Sequence, residues 1–179
     1  GKLSKETKDY DGDGDPESIS NYTYTEDAKS HTVRRELDID GDGVTDTISV
    51  TSFDLNDNIV LNASYRAFDQ RVEQSARYSY DLNGYQTSKS IDNNGDGHYE
   101  HESHTVYRND GSVSSTQSIH RGQNGQLISY SSRTLDKYGN DITHESDHNC
   151  SVPNYHHTIS QISGHTHRLK IDRFITLSS

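Results

Sequence analysis

The sequence is short of most of what usually holds a domain together. Its one cysteine, Cys150, rules out an intrachain disulfide. Methionine and tryptophan are missing, phenylalanine occurs three times, and hydrophobic residues make up 27% of the chain, against roughly 45–50% in ordinary domains. No apolar run approaches the roughly 18 residues that a membrane-spanning helix needs, so membrane insertion is not expected. Positive charge is scarce as well: 17 Lys and Arg stand against 28 Asp and Glu, a net charge of −11. That balance excludes nucleic acid and anionic membrane surfaces as natural partners and favours metal cations. With so little to bury, the core is expected to be thin and the fold to lean on something outside the chain. The chain reads as a mature or excised segment of a larger protein.

What is present is tyrosine, 12 of them, among many Ser and Thr, in runs separated by turn signals. These signals recur about every 14 residues, among them Asp40-Gly-Asp-Gly43, Asn56-Asp-Asn58, Asp69-Gln-Arg71, Asn83-Gly84, Asn94-Gly-Asp-Gly97, Gly122-Gln-Asn-Gly125 and Lys137-Tyr-Gly-Asn140. Between them the apolar residues alternate. Ile59, Leu61, Ala63, Tyr65 and Ala67 share one face, as do Val72, Ala76, Tyr78 and Tyr80, and a further pair is Val113 and Ile119. Period two excludes helix and predicts an all-β antiparallel meander of about ten or eleven strands. In a meander alternate turns fall on opposite edges. All the Asp-Gly-Asp-Gly-type loops fall in one alternate set, so the repeat is a hairpin of about 28 residues with acidic loops along one edge of an extended or rolled sheet.

Each acidic loop reads as DxDxDGxxD or a close variant. Loop A holds Asp9, Asp11, Asp13 and Glu17. Loop B holds Asp38, Asp40, Asp42 and Asp46, and loop C holds Asp92, Asn94, Asp96 and Glu100. Oxygens from positions 1, 3, 5 and 9 can converge because the loop winds around an ion, and glycine at position 6 permits the sharp turn. Position 7 offers a backbone carbonyl, from Asp15, Val44 and His98. In loop A the set Asp11, Asp13 and Asp15 is an alternative frame, one that places Pro16 where the glycine belongs. An all-oxygen set suits Ca²⁺. Position 12 is serine in all three loops and not the glutamate of an EF-hand, so a helix–loop–helix sensor is excluded. The turns at 69–71 and 122–125 lack the carboxylates and read as metal-free copies.

The alternation of Tyr80-Asp-Leu-Asn-Gly84 with Asp92-Asn-Asn-Gly-Asp-Gly97 resembles tandem repeats of large bacterial secreted and surface proteins. The first motif is similar to the YD repeats of Rhs proteins and teneurins, the second to thrombospondin type 3 and related calcium loops. The resemblance covers about residues 9–146. It implies a β-sheet shell or stalk in an adhesin-like or toxin-associated protein.

Residues 1–146 are therefore expected to form a calcium-binding hairpin-repeat region, and 147–179 a closing strand or cap that draws on Leu169, Ile171 and Phe174. Cys150, His148, His156, His157, His165 and His167 lack the paired spacing of a zinc site. His98, His101 and His104 read as surface residues. No G-x-S-x-G or phosphate-binding loop occurs, and no Cys-His pairing has support, so an enzyme is not expected. The expected function is that of an extracellular or cell-surface, calcium-stabilised structural or adhesin-type segment. A calcium-dependent module for a glycan or protein ligand is the alternative, and an exposed row of tyrosines would favour it.

Overall fold

The computed structural model describes residues 1–148 and 156–161. The described chain is all-β. Twelve strands follow the sheet in chain order, and every described pairing is antiparallel. They are β1 (Lys5–Lys8), β2 (Ser18–Glu26), β3 (Ser30–Asp38), β4 (Thr47–Asp54), β5 (Ile59–Arg66), β6 (Val72–Tyr80), β7 (Gln86–Asp92), β8 (His101–Tyr107), β9 (Val113–Arg121), β10 (Leu127–Leu135), β11 (Asp141–His148) and β12 (His156–Gln161). The meander expected from the alternation is thus present. Leu169, Ile171, Phe174, Cys150, His165 and His167 lie outside the described residues.

Two compact units divide the chain: Gly1–Tyr78 with Asp92–Asp96, and Ser79–Ile91 with Gly97–Ser179. In the first unit the described core is as thin as the composition demands. Among the described residues, Ile48 and Ala63 are the only buried hydrophobic side chains, 4% and 3% exposed. They stand on the adjacent strands β4 and β5, where Val50 is the partner of Ala63 and Tyr65 of Ile48. Around them the sheet is held by ladder hydrogen bonds and cross-strand side-chain pairs, each contributing roughly 0.2–1 kcal/mol. His31 stacks on Phe53 at 4.6 Å, the Thr32 and Ser52 hydroxyls meet at 3.0 Å, and the Arg35 guanidinium donates to Ser20 Oγ.

The second unit is held the same way. Tyr85 stacks on Tyr107 at 4.9 Å, Arg121 donates to Glu102, and Arg133 makes a two-pronged contact with Asp141 at 2.8 Å on each arm. That contact lowers the Asp141 pKa, first through the Arg133 hydrogen bond and then through its charge. Arg108 reaches from the end of β8 to the carbonyls of Val113 and Leu135 and so links successive strand ends.

Five of the connections share one turn. In 54–58, 81–85, 108–112, 122–126 and 136–140 the first residue donates its N–H to the fifth carbonyl, and the fourth donates back to the first. The fourth residue is left-handed in each case: Asp57, Gly84, Gly111, Gly125 and Gly139, with φ between 62° and 85°. This is the type I turn with a following left-handed residue that closes three-residue hairpin loops. The register shifts at the ends of β4, β8 and β10 accompany it.

Asp57 alone fills the left-handed position without being glycine. Its replacement, Asp57→Gly, is expected to raise stability by about 0.5–1 kcal/mol, because a side chain is strained there. The ion pair given up, to His31 at 3.8 Å, is exposed on the Asp57 side and contributes little. Urea melts of the two chains check this; a lower midpoint for the glycine variant would show that the aspartate is needed.

One sequence expectation is corrected. Ala67 does not extend the β5 face. The strand ends at Arg66, where the Arg66 N–H closes the turn on the Arg71 carbonyl, and Ala67 donates its N–H to the Asp46 carbonyl. The chain leaves the pleat one residue early to bond to the preceding acidic loop.

Candidate metal centre

Loops A and B connect β1 to β2 and β3 to β4, and so share an edge of the first unit with the β5–β6 turn. The two loops carry the same internal hydrogen bonds. The position 1 carboxylate accepts from the N–H groups of positions 4 and 6: Asp9 from Gly12 at 2.6 Å and Gly14 at 3.0 Å, Asp38 from Gly41 at 2.7 Å and Gly43 at 2.9 Å. Position 3 accepts from position 5, Asp11 from Asp13 and Asp40 from Asp42. Position 5 accepts from position 7, Asp13 from Asp15 and Asp42 from Val44. Position 9 accepts from position 2, Glu17 from Tyr10 at 2.6 Å and Asp46 from Ile39 at 2.8 Å. Short polar side chains bonding to the backbone two or three residues on are what make Asp and Asn loop formers. Loop C follows the same scheme where its bonds are described. Asp92 accepts from Asn94 and from Gly95, the latter at 2.6 Å, and Asn94 Oδ1 accepts from Asp96.

This wrapping gathers carboxylates. Oxygens of Asp9, Asp11, Asp13 and Glu17 lie within 4.8 Å of one another, as do those of Asp38, Asp40 and Asp42, and those of Asp92, Asp96 and Glu100. These three groups are able to hold a metal ion. Asp46 does not join the loop B group; its carboxylate accepts from the Ile39 N–H, the same bond that Glu17 makes with Tyr10 in loop A. Asp15 is likewise outside the loop A group of Asp9, Asp11, Asp13 and Glu17. Val44 and His98 are exposed.

Burial sharpens the electrostatics. Asp38, Asp92 and Glu100 are only 5%, 3% and 6% exposed, and aspartate and glutamate are almost never buried without compensation. The partners of Asp38 are backbone N–H groups, which stabilise a carboxylate but leave its charge in place. A cation close to the other loop carboxylates would cancel it.

The hairpin ends between β2 and β3, β4 and β5, β8 and β9, and β10 and β11 carry aspartates of another kind. Each is capped by local donors that lower its pKa. Asp27 is bonded by the Lys29 N–H and then by the Ser30 hydroxyl and N–H. Asp54 is bonded by the Asn58 side chain and N–H, Asp110 by the Ser112 hydroxyl and N–H, and Asp136 by the Asn140 side chain and N–H. Each of these turns closes with one carboxylate and its own neutral donors, whereas the acidic loops gather three or four carboxylates each.

Glycine at position 4 has a role that the sequence did not disclose. A Cβ on Gly41 would overlap the carbonyl oxygen of Pro16 in loop A, and one on Gly95 would overlap the carbonyl oxygen of Val72, at the start of β6. The same position in loop A, Gly12, faces open space. Each inner loop therefore rests backbone to backbone on the connection before it along the rim. Position 6 glycines Gly14, Gly43 and Gly97 meet nothing, and only their φ of 87–98° requires glycine.

Fold and site together define a class: an all-β chain of hairpin repeats whose acidic loops can each hold a metal ion. No protein-family model matches this chain, and no curated protein matches its sequence.

Proposed function

We propose that the chain is a calcium-stabilised structural segment, of the stalk or adhesin type, that works outside the cell. The observation that carries this reading is the shared wrapping of loops A and B, which turns acidic side chains inward to a common point in each. The gathered groups are all carboxylate, with Asn94 and backbone carbonyls as further oxygen donors, and no imidazole or thiolate joins them. That set suits a hard cation of flexible coordination, Ca²⁺ ahead of Zn²⁺. Extracellular modules of this sort bind at about 10⁻⁴–10⁻³ M, so millimolar calcium outside a cell fills them and cytosolic calcium does not. A thin core with metal-pinned strand ends suits mechanical support, and the resemblance to bacterial secreted repeats agrees with it.

The alternative, a calcium-dependent glycan or protein module, has less behind it. The exposed tyrosines among the described residues are Tyr10, Tyr85 and Tyr138, all at connections and not in a row.

Calcium titration by calorimetry tests the proposal. The full chain is expected to take up three ions, and Asp38→Asn and Asp92→Asn one fewer each, with magnesium binding more weakly. No calcium uptake up to about 10 mM, well past the usual range for such modules, would refute it.

A further inference from the structure

Strand register brings together two histidines that stand nineteen residues apart in the chain. His101 opens β8 and His120 lies near the end of β9, directly opposite it. Their rings are 4.3 Å apart at the centroids, with 29° between planes, and their Nδ1 atoms are 3.0 Å apart. The rings thus converge at the Nδ1 edges. His101 is exposed and His120 half-buried, so the paired nitrogens are reachable from solvent. Their neighbours in register are Ile91 on β7 and Ser129 on β10.

Two imidazoles in this arrangement have two ways to satisfy their nitrogens. One Nδ1–H can donate to the other Nδ1, or both lone pairs can bind one cation. Adjacent nitrogen ligands about 2.0–2.1 Å from a shared ion stand roughly 3 Å apart, which is the separation seen here. We propose that His101 and His120 form a cross-strand site for a first-row divalent transition-metal ion, with water completing the shell. Imidazole suits nickel, copper and zinc, with copper favoured and calcium not. The ion would tie β8 to β9 within their strands, whereas the acidic loops tie strand ends. The two sites differ in ligand class, so this proposal stands or falls apart from the calcium reading.

The test uses the full chain in calcium-containing, chelator-free buffer at pH 7.5. Ni²⁺ is titrated by calorimetry, and Cu²⁺ is followed by electron paramagnetic resonance and by amide line broadening. One Ni²⁺ is expected to bind, with affinity at least tenfold weaker in His101→Gln and in His120→Gln. His104→Gln, at a residue on the opposite face of β8, is expected to keep it. Copper is expected to show coupling to two imidazole nitrogens and to broaden amides around residues 101 and 120 first. Unchanged nickel affinity in both glutamine variants would overturn the site. So would broadening centred elsewhere, for example at the C-terminal histidines. The broadening is read on the unaltered chain, so it decides the matter even where a variant folds poorly. Calcium uptake by the glutamine variants is expected to be unchanged.

Discussion

In saturating calcium the chain is expected to melt on the order of 10 °C higher than in EDTA. The linkage relation yields about 1.4 kcal/mol for each site at a ligand concentration tenfold above its dissociation constant. Three sites then contribute about 4 kcal/mol. For a chain of this size each kcal/mol moves the midpoint by roughly 2–4 °C. The effect is large here because the competing contribution is small: the buried hydrophobic side chains among the described residues are Ile48 and Ala63. Without the ion, the buried charges of Asp38, Asp92 and Glu100 and their carboxylate neighbours repel one another within each loop. Circular dichroism melts in calcium, in EDTA and in magnesium measure the difference. Coincident calcium and EDTA curves would mean that the loops hold themselves together and that the metal reading is wrong.

The second large effect is expected from a methyl group. Gly41→Ala and Gly95→Ala should each cost about 2–5 kcal/mol, while Gly12→Ala should cost only about 1–2 kcal/mol, the ordinary penalty for a left-handed non-glycine residue. All three glycines have φ between 70° and 78°, so the backbone penalty is common to them. The excess comes from the carbonyls of Pro16 and Val72, which occupy the space a Cβ would need. Accommodating it means moving one rim connection off the next, and overpacking of this kind costs about 1–3 kcal/mol more. Urea denaturation of the three variants in calcium compares them directly. Equal costs at positions 12 and 41 would show that the loops do not rest on one another. Loss of calcium affinity in Gly41→Ala beyond that in Gly12→Ala would add that the packing also shapes the loop.

Much of this was legible in the sequence for one reason: it is local. The alternation through Ile59, Leu61, Ala63 and Tyr65 follows from the pleat of a single strand. The loop wrapping needs only nine consecutive residues, because each carboxylate bonds to N–H groups two to seven residues away. The turn at 136–140 is equally self-contained, closed by Asp136 and Asn140. Contacts between repeats were not legible in this way. Ala67 looked like one more strand residue until the Asp46 carbonyl claimed its N–H. Asp46 fits the ligand pattern by spacing as Glu17 does, yet only Glu17 joins the gathered group of its loop.

The sequence alone determined the class of fold, the single-rim placement of acidic loops expected of a meander, and the oxygen-rich chemistry of those loops. Period-two spacing and short Asx bonds act within a few residues of chain. Tertiary structure decided which carboxylates gather, why position 4 must be glycine in loops B and C but has room in loop A, and that His101 meets His120. Those outcomes depend on the registers of neighbouring strands and on how closely successive connections stack, and both are set by pairing between residues far apart in the chain.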